Sequence, residues 1–126
     1  MVAGAATITI VTQNRNCDVA AEYAQALAAR LGDNLVRLSL FGSRARGDHR
    51  VRSDFDLMVV LARADRDARS AVHRLATEFE LDRNVDLSTK ITNAAGFAML
   101  YASALPFWRR FRRDERLLWP MSSARA

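Results

Sequence analysis

The 126-residue sequence is poor in cysteine, lysine, histidine and proline. Because Cys17 is its single cysteine, the chain can form neither an intrachain disulfide nor a cluster of zinc-binding thiolates. Two histidines cannot build a histidine-rich metal site alone. The sequence has no run of about 20 apolar residues and no secretory signal pattern, so neither a transmembrane helix nor export is expected. We therefore expect a cytoplasmic protein without structural disulfides.

What the sequence does contain is the composition of an ordinary globular domain, with 50% hydrophobic and 26% charged residues. Its length suits a single domain over residues 1–126, and we expect flexible ends at 1–15 and 121–126. The formal charge of +5 first suggests a nucleic-acid binder. However, most of the excess lies in residues 105–126, which hold six arginines and two acidic residues. We therefore do not expect direct nucleic-acid binding.

The hydrophobic pattern alternates between helical and strand periodicity along the chain. It predicts helices at 18–31, 64–79 and 94–102, a short helix from Pro106, and strands at 35–41, 55–61 and 85–91. Residues 7–11 read as either a short strand or an irregular start. The order of these elements predicts an α/β (α+β) fold, in which a small mixed β-sheet is flanked by helices.

Three aspartates are candidate metal ligands. Asp54 and Asp56 are two residues apart on a strand, so both side chains face the same way. Two carboxylates this close repel one another unless a cation lies between them, and Mg²⁺ prefers such oxygen ligands. Asp86 on the third predicted strand could converge with them if the strands are neighbours. Taken singly, an Asp-x-Asp pair is more often a solvated strand end, and Asp86 could instead pair with Lys90.

A Gly-Ser pair and an arginine-rich loop follow the first predicted strand. Gly42 would let backbone N–H groups approach a ligand closely, and the Ser43 hydroxyl adds a donor. Four arginines follow, namely Arg44, Arg46, Arg50 and Arg52. On its own, each feature is more often a simple turn or a solvated face. Together they predict an anion-binding loop beside a divalent-metal site, which suits phosphoryl or nucleotidyl transfer.

These motifs in this order resemble the minimal nucleotidyltransferase family, the small members of the polymerase-β-like superfamily. The segments GSRARG and SDFDL match the family's Gly-Ser and Asp-x-Asp pattern, and Asp86 matches its later strand acid. The segment LPFWRRFRRDERLLW is similar to the family's closing region, in which a proline-aromatic helix leads to a short final strand. One departure is Asp114-Glu115, where a Glu-Gly pair is frequent. The resemblance covers roughly residues 20–120.

The resemblance implies roles for the site residues. The Asp-x-Asp carboxylates would hold two Mg²⁺ ions, and Asp86 would complete the site and help activate the attacking hydroxyl. Gly42 and Ser43 would bind the triphosphate of ATP, with Arg44 or Arg46 assisting. The implied reaction transfers AMP to a hydroxyl and releases pyrophosphate.

The short chain bears on the partner, because larger relatives carry an additional acceptor-binding domain. Free-standing proteins of this size resemble the antitoxins of HEPN/MNT toxin–antitoxin pairs, which bind an all-helical HEPN ribonuclease toxin and can adenylylate one of its tyrosines. Two alternatives remain: an antitoxin that neutralises by binding alone, and one chain of a small-molecule adenylyltransferase. The apolar stretch at 94–108 is interpreted as core, or otherwise as a docking patch.

Overall fold

The computed structural model describes residues 15–47 and 54–121, with side chains described from residue 19 onward. Helices and strands alternate along the chain almost as the periodicity predicts. The elements are α1 (Arg15–Leu31), a 3₁₀-helix (Gly32–Asn34), β1 (Leu35–Phe41), α2 (Ser43–Arg46), β2 (Phe55–Leu61), α3 (Arg66–Arg83), β3 (Leu87–Asn93), α4 (Ala94–Tyr101), α5 (Pro106–Asp114) and β4 (Arg116–Trp119). Within this part of the chain no helix is long and apolar enough to cross a bilayer.

The four strands form one mixed sheet in the order β3-β2-β1-β4. β1 runs antiparallel to both β2 and β4, whereas β2 and β3 are parallel. In this register Phe41 at the end of β1 pairs with Asp56, and Phe55 at the start of β2 pairs with Leu87. The end of β1 and the beginnings of β2 and β3 therefore meet at one edge of the sheet. The predicted fold class is confirmed.

One side of the sheet, which we call the core face, is covered by α1 and α3. Its strand residues are Leu38, Leu40, Leu57, Val59 and Leu61, all fully buried. Alternation along each strand puts these apolar side chains on one side, and the three- and four-residue spacing of the helices supplies matching stripes. Tyr23 of α1 is also fully buried, and its hydroxyl donates a hydrogen bond to the carbonyl of Val72 on α3 at 2.9 Å.

The opposite side, which we call the site face, is covered by α4 and α5. Its strand residues are Arg37, Ser39, Phe41, Asp56, Met58 and Val60. A second, smaller cluster is built here from three of these side chains and three helical aromatic residues: Phe41, Met58, Val60, Phe97, Trp108 and Phe111. Pro106 begins α5, where its lack of an N–H carries no penalty. Phe97 and Trp108 of the 94–108 stretch are buried, as the core interpretation predicts, whereas Met99 and Leu105 of the same stretch are exposed.

Some predicted boundaries were wrong. The third strand was predicted at 85–91 but spans Leu87–Asn93, because α3 continues to Arg83 and Asn84 ends it in a left-handed conformation with φ 54°. Asp86 therefore lies just before the strand, not in it. The predicted flexible N-terminal segment included Arg15, which lies in α1. The strand proposed at 7–11 falls outside the described residues.

Candidate active site

The turn between β1 and α2 is tight and depends on two glycines. Gly42 has φ 80°, and its carbonyl accepts hydrogen bonds from the amides of Ala45 and Arg46 at 3.1 and 3.2 Å. Gly47, with φ 83°, ends the helix and donates its N–H to the Ser43 carbonyl at 2.9 Å. Positive φ is readily adopted only by glycine, so the sequence GSRARG folds locally into a single helical turn.

Gly42 also lies directly against the Asp-x-Asp motif. A Cβ atom placed on Gly42 would overlap Oδ2 of Asp56 and would lie 3.3 Å from its Cγ. A side chain here would therefore displace the carboxylate. The strand register explains the contact, because Asp56 pairs with Phe41, the residue before Gly42. The Gly-Ser and Asp-x-Asp motifs can therefore lie in contact because Gly42 has no side chain.

The two carboxylates of the Asp-x-Asp motif repel one another electrostatically. Asp56 is half-buried on β2, and Asp54 is exposed just before it. Burial raises the pKa of Asp56, the charge of Asp54 raises it further, and Lys90 partly offsets both effects. A divalent cation between the carboxylates would offset this repulsion. Mg²⁺ typically takes only one or two protein carboxylates, together with water and substrate phosphates, so this donor set fits it.

The main chain of Asp86 lies next to the residue between Asp54 and Asp56. The amide of Phe55 donates to the Asp86 carbonyl at 2.9 Å, which holds Asp86 alongside the start of β2. However, no three acidic, histidine or cysteine side chains in the described parts of the chain gather closely enough to hold a metal ion. The participation of Asp86 as a third ligand stays a prediction.

Arg44 and Arg46, the two predicted phosphate-binding arginines that the structure describes, contact different residues. The guanidinium of Arg44 lies over the Phe55 ring, 4.1 Å from its centroid. Burial lowers the pKa of Arg44, and the charge of Asp54 opposes this shift, so the two residues are electrostatically coupled. Nη1 of Arg46 lies 3.5 Å from Oδ2 of Asp114 at the end of α5. The other two arginines of the loop lie outside the described residues.

A crevice of about 170 Å³ separates the Gly-Ser turn from α5. Its walls combine aromatic rings with two arginines and one carboxylate, and they are Phe41, Gly42, Arg46, Phe107, Arg110, Phe111 and Asp114. The crevice and the carboxylate pair share Gly42 as a neighbour, but neither Asp54 nor Asp56 lines the crevice. Arginines can bind the anionic phosphates of a nucleotide, and aromatic rings can pack against its planar base.

Sequence reasoning missed the residues that join α5 to β4. Nε of Arg116 donates to the carbonyl of Ala45 in α2 at 2.7 Å. Glu115, whose side chain is only 8% exposed, lies beneath α4 on the site face. The sequence marked this segment only as a departure from the family's Glu-Gly pattern. The available signal was the run of five charged residues, 112–116, at the end of a helix that otherwise buries aromatic side chains.

Comparisons with known proteins are consistent with this geometry. No curated protein sequence matches the chain. Among solved structures, a candidate nucleotidyltransferase from Sulfolobus solfataricus aligns with a TM-score of 0.57 at 24% identity, over 87% of this chain and 85% of that one. A toxin–antitoxin structure with AMP-PNP aligns with a TM-score of 0.53 at 20% identity, over 82% of this chain and 76% of that one. A mutant of the toxin–antitoxin pair MntA-HpeT gives the same TM-score at 17% identity, with the same coverage. At these identities the likeness shows a shared fold.

Family membership rests on the sequence itself. The family model described as Nucleotidyltransferase domain matches residues 21–112. This range contains the Gly-Ser turn, the Asp-x-Asp pair and Asp86. The chain belongs to the nucleotidyltransferase domain family, which confirms the predicted enzyme class.

Proposed function

We propose that this protein is a Mg²⁺-dependent nucleotidyltransferase that moves AMP from ATP to a tyrosine hydroxyl of a HEPN toxin and acts as its antitoxin in the cytoplasm. The observation that carries the proposal is the contact between Gly42 and Asp56. This contact places the Gly42–Ser43 turn and the Asp54–Asp56 carboxylate pair at the same edge of the sheet. Burial and the neighbouring charge of Asp54 raise the pKa of Asp56 in that pair. Nucleotidyl transfer needs both features within the length of one triphosphate.

Each residue of this edge has a proposed role. Asp54 and Asp56 would hold two Mg²⁺ ions, which supply charge neutralisation at the transferring phosphate. The Gly42–Ser43 turn would bind the triphosphate, with Arg44 or Arg46 assisting. The acceptor oxygen forms a bond to the α-phosphorus, the bond to the β-phosphate oxygen breaks, and pyrophosphate leaves. Asp86 would complete the metal site and help to take the proton of the acceptor hydroxyl.

Support for a toxin partner comes from the solved structures of the same fold. Both toxin–antitoxin structures have chains that this sequence spans for about three quarters of their length. One of them contains AMP-PNP, an analogue of ATP.

The direct test first asks whether the adjacent reading frame encodes a small all-helical protein, and then uses that protein as the partner in a transfer assay. The two proteins are mixed with Mg²⁺ and ATP labelled at the α-phosphate, and label on the partner is compared with pyrophosphate released. We expect equal amounts of both products. Asp54→Asn should lower the rate by at least about 100-fold, because one metal-binding charge is lost. Asp33→Asn, the same change at an exposed aspartate of the 3₁₀-helix, is the matched control and should have no effect.

Two outcomes would contradict the proposal. If no label reaches the partner and Asp54→Asn still neutralises toxicity, the protein acts as a binding antitoxin without catalysis. If label reaches a small hydroxyl compound when no protein partner is present, the chain belongs to a small-molecule adenylyltransferase. Mass spectrometry of the labelled partner identifies the acceptor side chain, and a residue other than tyrosine would correct that part of the proposal.

A further inference from the structure

The turn between α5 and β4 contacts α2 at two points. We call residues 114–116 the closing turn. Oδ2 of Asp114 lies 3.5 Å from Nη1 of Arg46, and Nε of Arg116 donates to the carbonyl of Ala45 at 2.7 Å. Both partners belong to the single helical turn that follows Gly42. The closing turn is about 70 residues away in sequence, so these contacts are tertiary.

The middle residue of the closing turn is anchored in the protein. Glu115 accepts hydrogen bonds from Nη2 of Arg37 at 2.5 Å, from Oγ of Ser39 at 2.5 Å and from the Tyr101 hydroxyl at 2.8 Å. Ser39 is fully buried, and the Arg37 guanidinium lies 5.1 Å from the centroid of the Tyr101 ring. These bonds tie the closing turn to β1 and α4. It is therefore a fixed support against which α2 can be held.

A helix of only four residues needs such a support. Isolated helical turns are unstable in water, because nucleation fixes several residues for one hydrogen bond. On one side, α2 is held by the Gly42 turn and by the buried side chain of Ala45. On the other side, Arg116 holds the Ala45 carbonyl, which is among the last carbonyls of the helix and has no partner within it. Removing Arg116 leaves this oxygen to water and α2 with one support fewer.

We infer that Arg116 is a positioning residue for nucleotide binding, because it holds α2 and thereby fixes the Gly42–Ser43 turn against Asp56. The inference rests on the proposed function for the identity of the ligand. Arg116 acts through the Ala45 carbonyl and not by touching the triphosphate. The role is therefore separable from that of a cation that attracts phosphate, for which any positive side chain at position 116 would serve.

The first test measures the order of α2 without any ligand. Amide hydrogen exchange is followed by NMR at Gly47, whose N–H bonds the Ser43 carbonyl. In Arg116→Met, exchange at Gly47 should accelerate about tenfold, while the amides that pair β1 with β2 keep their rates. Arg109→Met, which removes an exposed arginine of α5, is the control and should leave Gly47 unchanged. Unchanged exchange at Gly47 in Arg116→Met would overturn the inference.

The second test measures affinity for Mg²⁺ with AMPCPP, an ATP analogue that cannot be cleaved between the α- and β-phosphates. Arg116→Met should bind about five- to tenfold more weakly than the unchanged protein, and Arg109→Met equally well. Arg116→Lys should be as weak as Arg116→Met, since a lysine keeps the charge but lacks a donor at the Nε position.

The outcomes separate the two proposals. Wild-type affinity in Arg116→Lys, with weak binding in Arg116→Met, would show that charge acts directly and would overturn the positioning role. Wild-type affinity in Arg116→Met would also overturn it, while leaving the proposed function intact. If the unchanged protein itself does not bind Mg²⁺ and the analogue, the proposed function fails, and the hydrogen-exchange result then reports on the support of α2 alone.

Discussion

The two faces of the sheet differ in what they bury. On the core face, α1 and α3 pack apolar side chains against Leu38, Leu57 and Val59, and the hydroxyl of Tyr23 is satisfied by a single carbonyl. On the site face, a smaller aromatic cluster lies beside an ion pair in which Glu115 is buried and Arg37 is partly exposed. Both faces use β1 and β2, so alternate residues of one strand serve two different environments.

This difference teaches where stability and function are located. Apolar burial contributes most of the free energy of folding, and it is concentrated on the core face. Charged groups cost free energy when they are desolvated, and they collect on the site face, where Glu115 supports the closing turn and Asp56 lies against Gly42. The site face is thus less favourable to folding and richer in chemistry. Four predictions test this division, from the largest effect on the free energy of unfolding to the smallest.

The largest effect should come from truncating the core face. Leu57 is fully buried there, and its neighbour Met58 is buried on the site face. Leu57→Ala should lower the free energy of unfolding by about 3 kcal/mol, because a cavity forms in close-packed surroundings. Met58→Ala should cost less, about 2 kcal/mol, since a flexible side chain is lost from a smaller cluster. Urea denaturation measures both. An equal or larger cost for Met58→Ala would contradict the division.

The ion pair of the site face should give the next effect. In Glu115→Gln, the Arg37 guanidinium loses its counter-charge, and we expect a cost of roughly 2 kcal/mol, below the value for a fully buried pair because Arg37 is partly exposed. Adding Arg37→Met should recover most of this loss, because both charges are then absent. Urea denaturation of the single and double variants gives the coupling. If the double variant is less stable than Glu115→Gln, the pair is not the source of the cost.

The buried hydroxyl of Tyr23 on the core face should have a smaller effect that depends on pH. Burial raises the pKa of Tyr23 far above its ordinary value of 10.0. The native state therefore keeps the phenol proton that the unfolded chain loses, so stability is complete below about pH 10 and falls as the pH rises above it. Tyr23→Phe should cost about 1 kcal/mol at neutral pH through the lost hydrogen bond to Val72.

The same substitution should stop being harmful in alkali. One buried phenol contributes a slope of about 1.4 kcal/mol per pH unit, so Tyr23→Phe and the unchanged protein should be equally stable near about pH 11. Denaturation midpoints between neutral and alkaline pH measure the crossing. Tyr101 ionises in both proteins and cancels in the comparison. Parallel curves for the two proteins would show that the Tyr23 phenol ionises in the native state.

How far the sequence predicts this molecule also differs between the faces. The strand over 55–61 was predicted with its observed bounds, because a short, nearly continuous apolar run is typical of a central strand that is buried on both faces. The edge that joins Gly42 to Asp56 was also predictable in outline, since glycine after a strand and paired aspartates are local patterns. The start of β3 was misplaced, because the preceding helix ends at Asn84 in a left-handed conformation. The spacing of hydrophobic residues gives no sign of this helix end.

The closing turn could not be predicted from spacing. Arg116 and Ala45 are far apart in sequence, and only the antiparallel pairing of β1 with β4 brings them together. Similarly, Glu115 looks like a surface acid in a charged run, yet its side chain is buried beneath α4. Local patterns identify the groups that bear the chemistry, whereas the groups that hold them in place are selected by tertiary contact and carry no periodic signal.

The smallest effect, and the only one expected to stabilise, comes from the carboxylate pair at the edge of the site face. Burial and the charge of Asp54 raise the pKa of Asp56 above its ordinary value of 3.8. The native state therefore binds this proton more tightly than the unfolded chain does. The ionised carboxylate disfavours folding at neutral pH, and this cost disappears as the pH falls through the native pKa of Asp56 towards 3.8.

Asp56→Asn should consequently raise the thermal midpoint of the metal-free protein by about 1–2 °C at neutral pH, a small gain because solvent screens a half-exposed pair. The gain should shrink as the pH is lowered towards 4. Mg²⁺ should stabilise the unchanged protein and not the variant, since binding to the native state adds stability only where the ligands remain. Calorimetry at several pH values with and without Mg²⁺ measures all three effects. A variant less stable than the unchanged protein at neutral pH would mean that the Asp56 carboxylate supports the fold instead of opposing it, and the two faces would then not divide stability from function.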